Sequence, residues 1–165
     1  VELPVDAHLP HDYVPGERLR LEAYKKLASV VDEAQLGEIE AELVDRYGAL
    51  PEPVRNLMEV ARLRTVARQA SVADISVQGN FVRFGPVDLP ESAQLRLQRL
   101  YPKSLVKDAL HTILVPKPMT ARVGGQPLRD TAVLQWASDL IRSVLLGSVA
   151  DAARVGTRQG ADSAR

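Results

Sequence analysis

The sequence predicts an α+β fold: an N-terminal cluster of about three helices packed with a small mixed or antiparallel sheet and a C-terminal amphipathic helix. Three observations predict it. Apolar residues recur at helical spacing over roughly residues 17–70, the period switches to two near Ile75, and helical spacing returns after Asp130. Helices gathered early and strands late favour segregated α+β architecture over alternating βαβ units. At 165 residues with 45% hydrophobic and 25% charged composition, the chain is long and apolar enough to bury a core.

Residues 1–16 carry Pro4, Pro10 and Pro15. Each lacks a backbone donor and restricts the residue before it, so this segment is expected to be extended. A first helix begins near Glu17 and runs to about Ser29, with Leu19, Tyr24, Leu27 and Ala28 as its stripe. The second helix has a marked start. Asp32 is placed to cap it, Gln35 three residues on makes an Asp variant of the capping box, and Val31 and Leu36 hold the hydrophobic-staple positions. Leu36, Ile39, Leu43 and Tyr47 carry it to Gly48, which suits a left-handed C-terminal residue. Pro51 and Pro53 fit the first turn of a third helix. Val54, Leu57, Met58, Val60, Ala61, Leu63 and Ala67 cover more than one face, so this helix should be the most buried of the three and fade at Ala70–Ser71.

Ile75 and Val77, then Gly79-Asn80, then Phe81, Val82 and Phe84 read as a hairpin with a primed turn. Pro90 to Tyr101 returns to helix through Leu95, Leu97 and Leu100, ended by Pro102. Leu105-Val106 and Ile113-Leu114-Val115 give two short strands, the second a possible exposed edge. Asp130 caps the last helix, whose stripe is Val133, Leu134, Ala137, Leu140, Ile141, Val144 and Leu145, and Gly147 ends it. The expected division is a domain over 1–147 and an Ala-, Gly- and Ser-rich tail over 148–165, flexible or held only by contacts. Val1-Glu2-Leu3-Pro4 offers neither an initiator Met nor a basic leader and reads as an internal cut.

Little in the sequence points to catalysis. There is no Gly-x-x-x-x-Gly-Lys-Ser/Thr phosphate loop, no Gly-x-Gly-x-x-Gly element and no Gly-x-Ser-x-Gly elbow. Without cysteine there is no disulfide framework and no thiolate metal site, in keeping with a reducing, cytoplasmic address. No apolar run is long enough to span a membrane. His8-x-x-His11-Asp12 is the sole metal-like spacing, but Pro10 between the imidazoles favours loop histidines over ligands. Neither a catalytic residue, a cofactor nor a metal is expected. Trp136 and Tyr24 at helical positions read as core.

Lys+Arg and Asp+Glu both total 21, so no whole-chain attraction to nucleic acid is expected. Arg55, Arg62, Arg64 and Arg68 crowd the third helix and leave a nucleic-acid-binding alternative open, although Glu59 interrupts them and no aromatics interleave. The second helix is lopsided: Asp32, Glu33, Glu38, Glu40, Glu42 and Asp45 stand against Arg46 alone. Helical spacing sets Glu38, Glu42 and Asp45 opposite Leu36, Ile39 and Leu43. Acids so spaced repel mildly, and Asp45 opposes the dipole at the helix C-terminus. A partner's arginines would relieve both costs. A merely solvated acidic face is the plain alternative.

The stretch Leu9-Pro10-His11-Asp12-Tyr13-Val14-Pro15, then Arg18-Leu19-Arg20-Leu21 and Tyr24-Lys25-Lys26-Leu27-Ala28-Ser29, precedes Glu42-Leu43-Val44-Asp45-Arg46-Tyr47-Gly48-Ala49-Leu50-Pro51. Val54, Asn56-Leu57 and Ala61-Arg62-Leu63-Arg64 follow. In this order they resemble the C-terminal domain of the bacterial transcription-repair coupling factor, densely over 1–70 and sparsely from about 72 to 146. The resemblance implies a parent that is a DNA-dependent ATPase, displaces stalled RNA polymerase and recruits excision repair, with its motor outside this chain. It implies a non-catalytic regulatory domain that docks on the parent's N-terminal UvrB-like module, competes with UvrA for that surface and restrains the motor. On this reading Glu42 and Asp45, with Glu38 in support, pair with arginines of the UvrB-like module.

Overall fold

A computed structural model describes residues 1–147; the expected 148–165 tail lies outside the described residues. Among the described residues there are five α-helices, α1 (Glu17–Ala28), α2 (Glu33–Tyr47), α3 (Glu52–Gln69), α4 (Glu91–Leu100) and α5 (Asp130–Leu140). Four strands complete the set: β1 (Asp74–Gln78), β2 (Phe81–Gly85), β3 (Leu105–Lys107) and β4 (Thr112–Pro116). The α+β class is as predicted, and the sheet is antiparallel throughout. The chain divides into two compact units, one of 1–66 with 118–137 and one of 67–117 with 138–147, so the divisions fall inside α3 and α5.

The first unit is built on Leu9, Tyr13, Val14, Leu27, Val30, Leu36, Leu43, Val54, Met58 and Ala61. The proline-rich N-terminal segment is less extended than its composition predicts. Pro10 O accepts from both Tyr13 N (3.1 Å) and Val14 N (3.0 Å), and this turn drives Tyr13 and Val14 into the core. Tyr24 departs from expectation too: it is 36% exposed, and its hydroxyl accepts from Leu9 N at 2.8 Å. Leu19 and Ala23 take its place against the core beside Leu27. Trp136 is half-buried.

The start of α2 is as marked as the sequence promises, with one change. Asp32 is extended and its carboxylate accepts from Gln35 N at 2.8 Å. The Gln35 side chain, however, accepts from Val31 N at 2.9 Å rather than from the Asp32 N–H. Val31 is 51% exposed, so the staple position buries little. Asp32→Ala is expected to cost about 1 kcal/mol, the usual worth of an N-cap acceptor, read as a lowered urea midpoint; an unchanged midpoint would refute the cap's contribution. At the other end Gly48 has φ 91 and ψ −168. This is positive φ as predicted, but in the glycine-only extended region instead of the left-handed helical one.

α3 is the most buried of the first three helices, with Val54, Met58, Ala61, Leu63, Val66 and Ala67 in the interior. Its buried Asn56 links separate segments: Nδ2 donates to Asp6 O (3.0 Å) and Oδ1 accepts from Thr131 Oγ1 (2.9 Å). Asp130 acts beside it differently from the expected cap. At φ 52 its carboxylate accepts from Asp6 N (2.8 Å) and its own N–H donates to Pro4 O (3.0 Å), so it ties the N-terminal segment to the start of α5.

The second unit contains the sheet, in the order β1-β2-β4-β3. β1 and β2 form the predicted hairpin with Gln78 opposite Phe81. Gly79 has φ 61 while Asn80 is absent from the positive-φ residues, which is the II′ pattern. Ile75, Val82, Phe84, Ile113 and Val115 are buried on one face. On the other, Arg83 Nη1 meets Asp74 Oδ2 at 2.5 Å across the hairpin. β4 lies between β2 and β3, so Ile113-Leu114-Val115 is an interior strand and not the exposed edge the sequence suggested; β1 and β3 are the edges. In α4 the inward residues are Ala93 and Leu97, whereas Leu95 is 68% exposed. After α5 the chain passes into a π-helical stretch, Ile141–Leu146. Gly147 is right-handed helical at φ −59, ψ −39, so it does not end the helix by a left-handed turn. A side chain there would meet Arg96 Nη1 at 2.7 Å.

Candidate docking surface

The six acids of α2 and its cap are sorted by the fold into separate duties. Asp32 caps the helix. Glu33 accepts from Arg62 Nε at 2.9 Å, and Glu59 pairs with the same guanidinium. Burial opposes the charge on Arg62, yet its hydrogen bonds to the Glu33 and Glu59 carboxylates outweigh it and hold the group more firmly protonated. Glu40 is half-buried and lines an open cleft of about 310 Å³ with Leu50, Arg55, Met58, Glu59 and Arg62.

Glu42 does not stand opposite the apolar stripe as predicted. It flanks Ile39 and Leu43 and faces α1, where Lys26 Nζ donates to both of its oxygens at 3.1 Å. Arg46 Nη1 adds a contact at 3.4 Å to Oε1, and its guanidinium lies 5.5 Å from the centre of the Tyr47 ring. The Lys26 hydrogen bond holds the Glu42 carboxyl below the usual carboxylate range; slight desolvation works against this and the Arg46 charge with it. With the folded value depressed, the pair is intact above the ordinary carboxylate pKa and lost as pH falls through the lowered one.

Glu38 and Asp45 remain. Both are exposed, and among the described residues neither takes part in an ion pair or hydrogen bond. Seven residues apart, they fall on one line of the helix about 10 Å apart. Ala34, Gly37 and Ala41 are exposed beside them, and Val44 is exposed next to Asp45. This line is acidic, small-walled and without an ion-pair partner among the described residues. Its lower end is fixed from inside: Tyr13 Oη donates to Gly48 O (2.8 Å) and Leu43 O (3.2 Å), and the Tyr13 ring tilts against Tyr47 at 5.7 Å.

Lys26 and Tyr13 were not singled out by sequence reasoning. No local spacing rule pairs residue 26 with residue 42, which lie on different helices. Tyr13 was hidden in a segment read as extended, although an aromatic followed by Val14 in a proline-rich stretch was a usable signal for burial.

The arginines of α3 do not form one patch. At 100° per residue Arg55 and Arg62 share a side while Arg64 and Arg68 lie roughly opposite. Of the histidines, His8 Nδ1 faces Asp6 Oδ1 at 2.8 Å and His111 Nδ1 faces Asp88 Oδ1 at 2.6 Å. Among the described residues no group of three or more His, Cys, Asp or Glu is placed to hold a metal, and no helix is long and apolar enough to cross a membrane.

Comparison with known proteins bears on all of this. The TRCF domain family model matches residues 3–98. The transcription-repair-coupling factors of Mycobacterium bovis and Mycobacterium tuberculosis are each 43% identical over 145 residues, covering 87% of this chain and 12% of theirs. That of Escherichia coli is 42% identical over 80 residues, 48% of this chain and 7% of its own. The chain therefore spans only about an eighth of the length of the mycobacterial relatives it matches. A crystal structure of the C-terminal domain of transcription-repair coupling factor superposes with a TM-score of 0.73 at 18% identity, over 90% of this chain and 92% of that one. At that identity it supports the fold alone.

Proposed function

This chain belongs to the TRCF domain family, and from that premise we propose that it is a non-catalytic regulatory domain of a transcription-repair coupling factor. It docks on the factor's N-terminal UvrB-like module and masks the surface that UvrA uses. The observation that carries this reading is the outward line of α2, where Glu38 and Asp45 stand exposed with no ion-pair partner among the described residues. Two uncompensated carboxylates on one line, with the small Ala41 between them and Ala34 and Gly37 before them, suit an arginine-bearing surface that can approach closely. Val44 offers the apolar contact that exposed ion pairs need beside them, since such pairs are individually weak. Glu42 belongs to the same surface but already has partners.

Masking works as a population shift. DNA and RNA polymerase, bound by other parts of the factor in the cytoplasm, favour the undocked state, and UvrA binds only that state. ATP hydrolysis and translocation belong to the segments outside this chain.

Calorimetric titration of the UvrB-like module with the full chain, at low and moderate salt, tests this. Weak binding that declines with salt is expected, and Glu38→Lys/Asp45→Lys should abolish it while melting like the wild type. Binding unchanged by that double reversal would remove the acidic line from the mechanism.

A further inference from the structure

Glu42 lies next to the free acids Glu38 and Asp45 on α2, yet both of its carboxylate oxygens are engaged before any partner arrives. Lys26 Nζ sits 3.1 Å from both oxygens, so it covers the edge that a guanidinium would take with two parallel bonds. Arg46 has a separate support in the Tyr47 ring at 5.5 Å, whereas among the described residues the Lys26 ammonium contacts Glu42 alone. The side chains of Lys26 and Glu42 are 52% and 40% exposed, so the pair is open to exchange. The walls of the groove beneath are Leu19, Ala23, Ile39 and Leu43, which offer the freed ammonium no alternative acceptor; Glu22 at the groove's rim does.

We propose that Lys26 is a built-in competitor for the docking partner's arginine: it occupies Glu42 in the undocked domain and is displaced on docking. The inference rests on the docking function proposed above and adds its regulation. An ammonium is a flexible point charge on a four-carbon stem, and a guanidinium is a rigid fork that bonds both carboxylate oxygens, so the exchange is close to balanced and slightly favours the arginine. Two consequences follow from the geometry. The undocked surface avoids the repulsion of bare Glu38 and Glu42 one turn apart. Docking, in turn, gains less from Glu42 than from a free carboxylate, which keeps the masked state reversible.

The same titration, on the full chain with the UvrB-like module as probe, reads the exchange through three variants. Lys26→Met removes the competing charge and keeps an unbranched side chain; docking should tighten about two- to fivefold, the worth of an exposed pair. Lys26→Arg grips Glu42 with a fork and should dock no better than the wild type. In a Glu42→Gln background Lys26→Met should gain nothing, which separates exchange from a general change of charge. Carbon-detected titration of the Glu42 carboxyl provides a readout independent of docking: Lys26→Met should raise its pKa towards the ordinary carboxylate value.

If Lys26→Met leaves affinity unchanged or lower while Glu38→Lys/Asp45→Lys abolishes binding, exchange is overturned and docking stands. If the wild type does not bind, or binds regardless of the Glu38 and Asp45 charges, the docking reading fails and exchange falls with it.

Discussion

Phe84→Ala is expected to lower the unfolding free energy by about 3–5 kcal/mol, the usual loss for a fully buried aromatic side chain. Phe84 lies on β2, an interior strand of the sheet, opposite Ile75 on one side and Ile113 on the other, and is fully buried. Deleting its ring leaves a cavity walled by cross-strand neighbours whose positions the ladder fixes on both sides, so little collapse can fill it. Urea denaturation should show a lower midpoint with an unchanged slope. Leu95→Ala, on the exposed side of α4, should stay within about 0.5 kcal/mol of wild type. A Phe84 loss as small as the Leu95 one would mean that this face of the sheet is not the core of its unit.

Tyr13 should show the second large effect, and one that separates into parts. Tyr13→Ala removes the buried ring and its tilted contact with Tyr47, with an expected loss of about 3–5 kcal/mol. Tyr13→Phe keeps the ring but removes the hydroxyl's bonds to the Leu43 and Gly48 carbonyls at the end of α2, for about 0.5–1.5 kcal/mol. The phenol also carries a pH signature. Burial, and after it the neighbouring Tyr47, raise its pKa above the ordinary tyrosine value. Above about pH 10 the unfolded chain loses this proton first. Stability is therefore fully present below the ordinary value and falls as pH rises through the raised one. Tyr13→Phe should flatten that alkaline limb; a limb of equal steepness in the variant would assign it to other groups. Because the two bonds hold the turn that carries Asp45 and Arg46, Tyr13→Phe should also weaken docking with no change of charge.

Much of the fold was legible because its signals are local. Asp32 with Gln35, the apolar rows of α2 and α3, and the Gly79-Asn80 hairpin each need only residues within one turn or two strands of one another. The order of the sheet was not legible. Ile113-Leu114-Val115 reads the same at an edge or in the interior, and only pairing with β2 and β3 on both sides made it interior. Leu95 and Leu97 are likewise equal as leucines, and which one is buried depends on the side of α4 that meets the rest of its unit.

The surface divides in the same way. Sequence alone determined that α2 is acidic, where it starts and ends, and that the chain lacks recognisable nucleotide-binding and nucleophile motifs, since composition, capping chemistry and motif spacing are properties of neighbours in the chain. Tertiary structure decided which acids are free. Glu33 met Arg62 of α3 and Glu42 met Lys26 of α1, while Glu38 and Asp45 met no ion-pair partner among the described residues. An ion pair is set by a few ångströms between atoms far apart in sequence, and that distance exists only once the helices have packed.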